Sequence, residues 1–247
     1  MPRIMTQPVR IAMWSGPRNI STAMLRAFGN RPDTAVTDEP LYGYYLRRTG
    51  LDHPGRGEVI AAQPDDWRTT AEDLCGPVPN GRVVWYQKHM SHHLLPEIEG
   101  VWLENLTNCF LIRDPREVLA SYTKVRETVT LADTGLPQQA ALFNRVLERD
   151  GTPPPVLESA DVLRDPRRLL TGFCRAVGIT FSEAMLSWPP GLRPTDGVWS
   201  KYWYASVADS TGFVEYSPKE VVLTDALEAL AEQCAPYYRM LYAHRLV

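Results

Sequence analysis

The order of apolar and polar positions divides the chain into short apolar runs separated by longer mixed segments. Residues 9–14 (Val-Arg-Ile-Ala-Met-Trp) form a run of strand length that stops at Ser15-Gly16-Pro17, and residues 21–28 follow with the spacing of a helix. A second strand is predicted at 82–87 (Arg-Val-Val-Trp-Tyr-Gln). A third, at 109–112 (Cys-Phe-Leu-Ile), stops at Arg113-Asp114-Pro115. A helix starts there, with Asp114 as N-cap and Pro115 at the first helical position, where its missing N–H costs nothing. Asp165-Pro166 opens another helix by the same rule, running to about Val177 and closed by Gly178.

Residues 36–79 turn polar and rich in Gly and Pro, as in Asp52-His53-Pro54-Gly55-Arg56-Gly57, and are expected to be an excursion rather than a core element. Thr152-Pro153-Pro154-Pro155 marks a rigid connection. Strands that are continuously apolar are buried on both faces. The expected fold class is therefore α/β, three layers with a central, mostly parallel sheet flanked by helices. A single domain over residues 1–247 is expected, with 41–80 as an insertion-like excursion. Ligands in such sheets lie beyond the carboxyl ends of the strands, and the Ser15 and Arg113 segments both fall there.

At 247 residues the chain buries a core without crosslinks, so its four cysteines, spread along the sequence with no C-x-x-C pair, are expected to be thiols. No apolar window approaches the roughly eighteen residues of a membrane span. Neither a signal peptide nor a span is expected, and the cytoplasm is the expected location. The net charge of −3 excludes a globally basic nucleic-acid binder. Residues 1–32 nevertheless hold Arg3, Arg10, Arg18, Arg26 and Arg31 and no carboxylate, an end of the chain that attracts anions.

Two segments sharpen that picture. The strand, the turn Ser15-Gly16-Pro17-Arg18-Asn19-Ile20 and the helix starting near Ser21-Thr22 bring free N–H groups, a helix dipole, Arg18 and two hydroxyls toward one point, as phosphate requires. The Walker pattern G-x-x-x-x-G-K-[ST] is not met, because there is no Gly-Lys and Ile20 stands where glycine would let the backbone approach closely. In the second segment Arg113 leaves a strand end, and Ser121 lies two helical turns beyond Asp114 on the same face. Arg-Asp-Pro-Arg recurs at 164–167, but Gly172 follows Arg164 at the spacing where Ser121 follows Arg113, and no clean apolar strand precedes it. The first copy is the better anion site.

A strand ending in Arg, an Asp-Pro helix start and a Ser in this register resemble the 3′-phosphate motif of sulfotransferases that use PAPS (3′-phosphoadenosine 5′-phosphosulfate). Pro17-Arg18-Asn19-Ile20-Ser21-Thr22 is similar to that family's loop for the donor's 5′-phosphosulfate, and residues 165–179 resemble its helix ending in Leu-Gly-Ile. The resemblance implies a P-loop-like fold and transfer of a sulfuryl group from PAPS to a small-molecule acceptor, leaving PAP, with no metal. The 41–80 excursion and the aromatic stretch 199–204 are expected to shape the acceptor side, with core packing the alternative reading of the four aromatics in 199–204.

The resemblance also implies roles. Arg18, with Pro17, Asn19, Ser21 and Thr22, holds the 5′ end of the donor, while Arg113 and Ser121 hold its 3′-phosphate. Lys201 belongs to a late loop covering the nucleotide. Arg18 stabilises the leaving group. His89 is the first choice of base, because neutral imidazole titrates near working pH, with Glu39 of Asp38-Glu39-Pro40 as its rival. Metal ligation by His89, His92 and His93 is disfavoured, since adjacent histidines rarely aim at one ion. The competing classes are a P-loop kinase or nucleotidase, for which neither phosphate lysine nor magnesium carboxylate is in place, and a non-catalytic nucleotide-binding relative. Neither the acceptor's identity nor the oligomeric state, a homodimer among the options, follows from the sequence.

Overall fold

A computed structural model describes residues 7–126, 128–218 and 220–247; Arg3 lies outside them. Five strands, β1 (Val9–Ser15), β2 (Thr34–Asp38), β3 (Val84–Met90), β4 (Thr107–Ile112) and β5 (Val156–Glu158), form one parallel sheet in the order β2-β3-β1-β4-β5. The register aligns their carboxyl ends. Ser15 lies beside Met90 and Leu111, and Asp38 beside Lys88.

Strand alternation builds the layers. Ile11 and Met13 pack on one face with Met24, Leu25 and Phe28 of α1 (Ser21–Gly29). Ala12 and Trp14 pack on the other. The first face is completed by α8 (Pro166–Ala176) through Leu169, Leu170 and Phe173. The second takes Trp67, Ala71 and Leu74 of α4 (Trp67–Cys75), Phe143 and Val146 of α6 (Leu136–Asp150), and Cys234 and Leu241 of α11 (Asp225–Tyr242). The expected α/β arrangement, a central parallel sheet flanked by helices, is the observed one.

The two Asp-Pro starts are real caps. Asp114 accepts from Arg116 N at 2.8 Å, opening α5 (Pro115–Tyr122), and Asp165 accepts from Arg168 N at 3.0 Å. Gly178, at φ +77°, turns the chain out of α8. Between β5 and α8 runs the short α7 (Ser159–Arg164).

The expectation for 36–79 needs correcting. This stretch holds the end of the edge strand β2, then α2 (Tyr42–Thr49), α3 (Arg56–Ala62) and α4, and it buries Leu41, Tyr44, Trp67, Ala71 and Leu74 in the main core. Its aromatic residues supply apolar area that the polar average conceals. Two short helices, α9 (Ser200–Trp203) and α10 (Ala205–Ala208), follow later in the chain. Among the described residues no helix is long and apolar enough to cross a membrane.

Candidate functional site

Beyond the carboxyl ends of the strands lies a cavity of about 380 Å³, and both sequence motifs reach it. On its first wall, Pro17, Arg18, Asn19, Ser21 and Thr22 connect β1 to α1. Arg18 adopts a left-handed backbone at φ +55°, costly for a residue with a Cβ and frequent at functional sites. Ile20 sits at φ −83°, so no glycine is needed at that point. Glycine is needed at Gly16, where a Cβ would lie 2.3 Å from the carbonyl oxygen of Thr134.

Asn19 anchors the loop by donating to the carbonyl of Leu111 at 3.0 Å, while its own carbonyl accepts from Ile20 N at 2.8 Å and from the Ser159 hydroxyl. From α6, Gln139 donates to the carbonyls of Trp14 (2.8 Å) and Leu111 (3.1 Å), tying the ends of β1 and β4 together. The helix cap is Ile20, which has no side-chain acceptor, so Ser21 and Thr22 are not consumed in capping. Their hydroxyls and the first-turn N–H groups are available to an anion.

The second motif meets the first. Arg18 Nε donates to Ser121 Oγ at 3.1 Å, and Arg113 Nη1 donates to the carbonyl of Arg18 at 2.7 Å. Glu117 takes the Nε and Nη2 side of Arg113 at 2.9 Å and is itself held by Tyr216 at 2.8 Å. The guanidinium is thereby oriented, with a second N–H left on each terminal nitrogen. Burial, then the neighbouring Arg113, lowers the Arg18 guanidinium from its ordinary pKa, and among the described residues no carboxylate pairs with Arg18.

The opposite wall is built on Lys88. Its buried ammonium donates to Asp38 Oδ1 (2.8 Å), to Tyr204 Oη (3.0 Å) and to Glu39, which uses all three of its protons. Tyr204 in turn donates to Asp38 Oδ2 at 2.6 Å, and Gly197 N does so at 3.2 Å, fastening the 197–204 segment to the sheet. Burial alone would lower Lys88, but Asp38 and Glu39 outweigh it and hold the amine well above its ordinary value. Glu39 lines the cavity at φ +41°, directly before Pro40, where left-handed backbone is strained. Burial raises its carboxyl above the usual range, against the lowering influence of Lys88.

Two expected site residues are not brought to the cavity. His89 is buried on the opposite face of β3, stacked on Trp14 with ring centroids 4.2 Å apart, and burial lowers its pKa to about 3. The cause is strand alternation, which turns Lys88 and Met90 into the cavity and His89 away. Lys201 is exposed on α9 and pairs with Glu58 at 2.7 Å. The remaining expected residues, Pro17, Arg18, Asn19, Ser21, Thr22, Glu39, Arg113 and Ser121, all line the one cavity. Sequence reasoning missed Lys88, Asp38 and Tyr204. Extending the second strand past Gln87 with a strand's alternation of faces would have separated Lys88 from His89.

Residues 9–245 match the family model described as "Sulfotransferase domain". Two Arabidopsis thaliana proteins are similar in sequence. "Branched-chain-amino-acid aminotransferase-like protein 1" is 35% identical over 242 residues, covering 97% of this chain and 43% of that protein. "Branched-chain-amino-acid aminotransferase-like protein 2" is 32% identical over 236 residues, covering 95% and 41%. The chain thus spans less than half the length of these relatives. Among solved structures, the "Sulfotransferase Domain from the Curacin Biosynthetic Pathway" has a TM-score of 0.51 at 14% identity, covering 92% of this chain and 98% of that one. A sulfotransferase from Alicyclobacillus acidocaldarius has a TM-score of 0.52 at 15% identity, covering 97% of each chain. At these identities the likeness is one of fold.

Proposed function

Because this chain belongs to the sulfotransferase family, we propose that it moves a sulfuryl group from PAPS to a hydroxyl or amine of a small-molecule acceptor. The observation that carries this reading is the convergence of the 17–22 loop, Arg113 and Ser121 on one wall of a cavity whose other wall presents a buried carboxylate, Glu39. The volume of about 380 Å³ lies within the range of small-molecule sites. The first wall offers a set of donors: the guanidiniums of Arg18 and Arg113, the hydroxyl protons of Ser21, Thr22 and Ser121, and the N–H groups at the start of α1. Such a set fits a donor carrying phosphates at both ends of its ribose.

In this reading Arg113 and Ser121 bind the 3′-phosphate, and Arg18 with the loop binds the 5′-phosphosulfate. Glu39 removes the acceptor's proton through the oxygen not engaged by Lys88, and burial makes it a stronger base than an exposed carboxylate. The acceptor oxygen or nitrogen forms a bond to sulfur as the bond from sulfur to the 5′-phosphate oxygen breaks, and its electron pair leaves with the phosphate. Arg18 and the α1 N–H groups meet the charge that develops there. Lys88 keeps Glu39 and Asp38 compatible in one buried place. The geometry asks for positioning and fixed charge, in line with a loose, nearly linear transfer.

The test is incubation with PAPS labelled at sulfur and a panel of hydroxyl and amine acceptors. Label passing to an acceptor, and lost in Arg113→Ala, is the expected result. No transfer to any acceptor by protein that binds PAP would overturn the catalytic reading and favour a nucleotide-binding relative.

A further inference from the structure

The cavity also holds groups that the transfer does not use: Tyr42, His53, His92, His93 and Arg126. Tyr42 stands on α2, the helix that follows the Glu39 base, and is joined to the others by contact. Arg126 Nη1 lies 2.9 Å from His53 Nε2, and Tyr42 Oη lies 2.7 Å from His53 Nδ1. A guanidinium only donates, so His53 Nε2 accepts, its proton resides on Nδ1, and that N–H donates to Tyr42 Oη. The Tyr42 hydroxyl proton is left to point elsewhere, and burial, then Glu39, raises the phenol far above its ordinary pKa, so it stays a donor.

His93 is sandwiched between Tyr42 (centroids 4.7 Å, planes 6° apart) and Tyr45 (4.6 Å, 30°), so both ring faces are covered and only an edge is available. His92 packs edge-on to Tyr45 and to His93. In both histidines Nδ1 is fully buried without a partner. A buried N–H lacking an acceptor is costlier than a bare lone pair, which puts the proton on Nε2 in each ring. Burial keeps both rings neutral, His92 being lowered to about 3. Among the described residues Arg126 has no carboxylate within ion-pair distance. Of the nearby acids, Asp133 accepts from Thr130 N (2.8 Å) and Oγ1 (2.7 Å) through Oδ2 and, like Asp52, acts on His53 through its charge. Tyr42, His92, His93 and Arg126 are thus all hydrogen-bond donors, and the two stacked tyrosines leave no free face on His93 to receive an apolar group.

We infer that the acceptor carries an oxyanion, a carboxylate or a phosphate, beside its nucleophilic hydroxyl or amine, and that Tyr42, His92, His93 and Arg126 recognise it. This rests on the sulfotransferase reading of the same cavity. It is tested by calorimetric titration of PAP-saturated protein with 4-hydroxybenzoate, lactate and glycerol 3-phosphate, each beside a neutral counterpart: methyl 4-hydroxybenzoate, lactamide and glycerol. At least one anion should bind about tenfold or more tightly than its counterpart, as charge-assisted bonds give. Arg126→Gln should abolish that preference and leave PAP affinity unchanged. Which of the anions is preferred separates carboxylate from phosphate. No preference for any anion, or a preference intact in Arg126→Gln, would overturn the inference while PAP binding upholds the donor reading. Failure of PAP itself to bind would overturn the reading on which the inference stands.

Discussion

Replacing Lys88 by Met removes the cation that two buried carboxylates share. Lys88 and Asp38 are each 1% exposed in their side chains, and Glu39, which reaches the cavity, is 12% exposed. Breaking a buried ion pair by deleting one partner costs about 3–5 kcal/mol, a large share of the ~5–15 kcal/mol that holds a domain folded. The loss has a pH signature. Without Lys88, burial and the charge of Asp38 raise the folded pKa of Glu39 further above its unfolded value of about 4.3. A carboxyl raised on folding contributes stability below its unfolded pKa and loses it as pH rises through the folded one. The deficit of Lys88→Met relative to the parent is therefore largest at pH 8 and shrinks toward pH 5. Urea unfolding followed by tryptophan fluorescence at both pH values measures it. A deficit under about 1 kcal/mol at pH 8, or an equal deficit at both, would refute the reasoning.

Arg18→Ala should lower kcat by about 100- to 1000-fold, roughly the 2.7–4 kcal/mol of one lost charge-stabilising donor, and weaken PAP binding much less; equal losses in the two would deny Arg18 its leaving-group role. The acid limb of kcat/KM should lie above the ordinary glutamate value of about 4.3, because burial raises Glu39 and the base acts only when deprotonated, so activity rises with pH through that limb. Glu39→Gln should abolish the limb along with the activity, whereas a limb near 6.5 that survives the substitution would assign proton removal to a histidine. His89→Phe keeps an aromatic ring against Trp14 and should retain near-parental turnover with a stability cost below about 1.5 kcal/mol. Loss of turnover in a folded His89→Phe would restore His89 as a site residue.

The parts of the fold that could be read in advance are those whose local chemistry is sufficient by itself. Continuous apolar runs became β1, β3 and β4, and Asp-Pro starts became α5 and α8, because burial on both faces and a cap each leave a local mark. β2 and β5 were not visible. Thr34–Asp38 mixes polar and apolar residues as an edge strand does, and Val156–Glu158 follows a proline run and is too short for periodicity. The same division holds in the site. Arg18, Arg113 and Ser121 announce themselves by position after strands, whereas Asp38 and Tyr204 meet Lys88 only through folding, 50 and 116 residues away in sequence. His89 was misplaced by one residue, and in a strand one residue is the difference between the two faces of the sheet.

The most direct measurement is a calorimetric titration with PAP beside 5′-AMP at fixed salt, since the two differ by the 3′-phosphate assigned to Arg113 and Ser121. Charge-assisted bonds to that phosphate predict a preference for PAP of roughly 2–4 kcal/mol, or about 30- to 1000-fold. Equal affinity for the two nucleotides, or binding of neither, would contradict the account and leave Arg113-Asp114-Pro115 as the start of a helix.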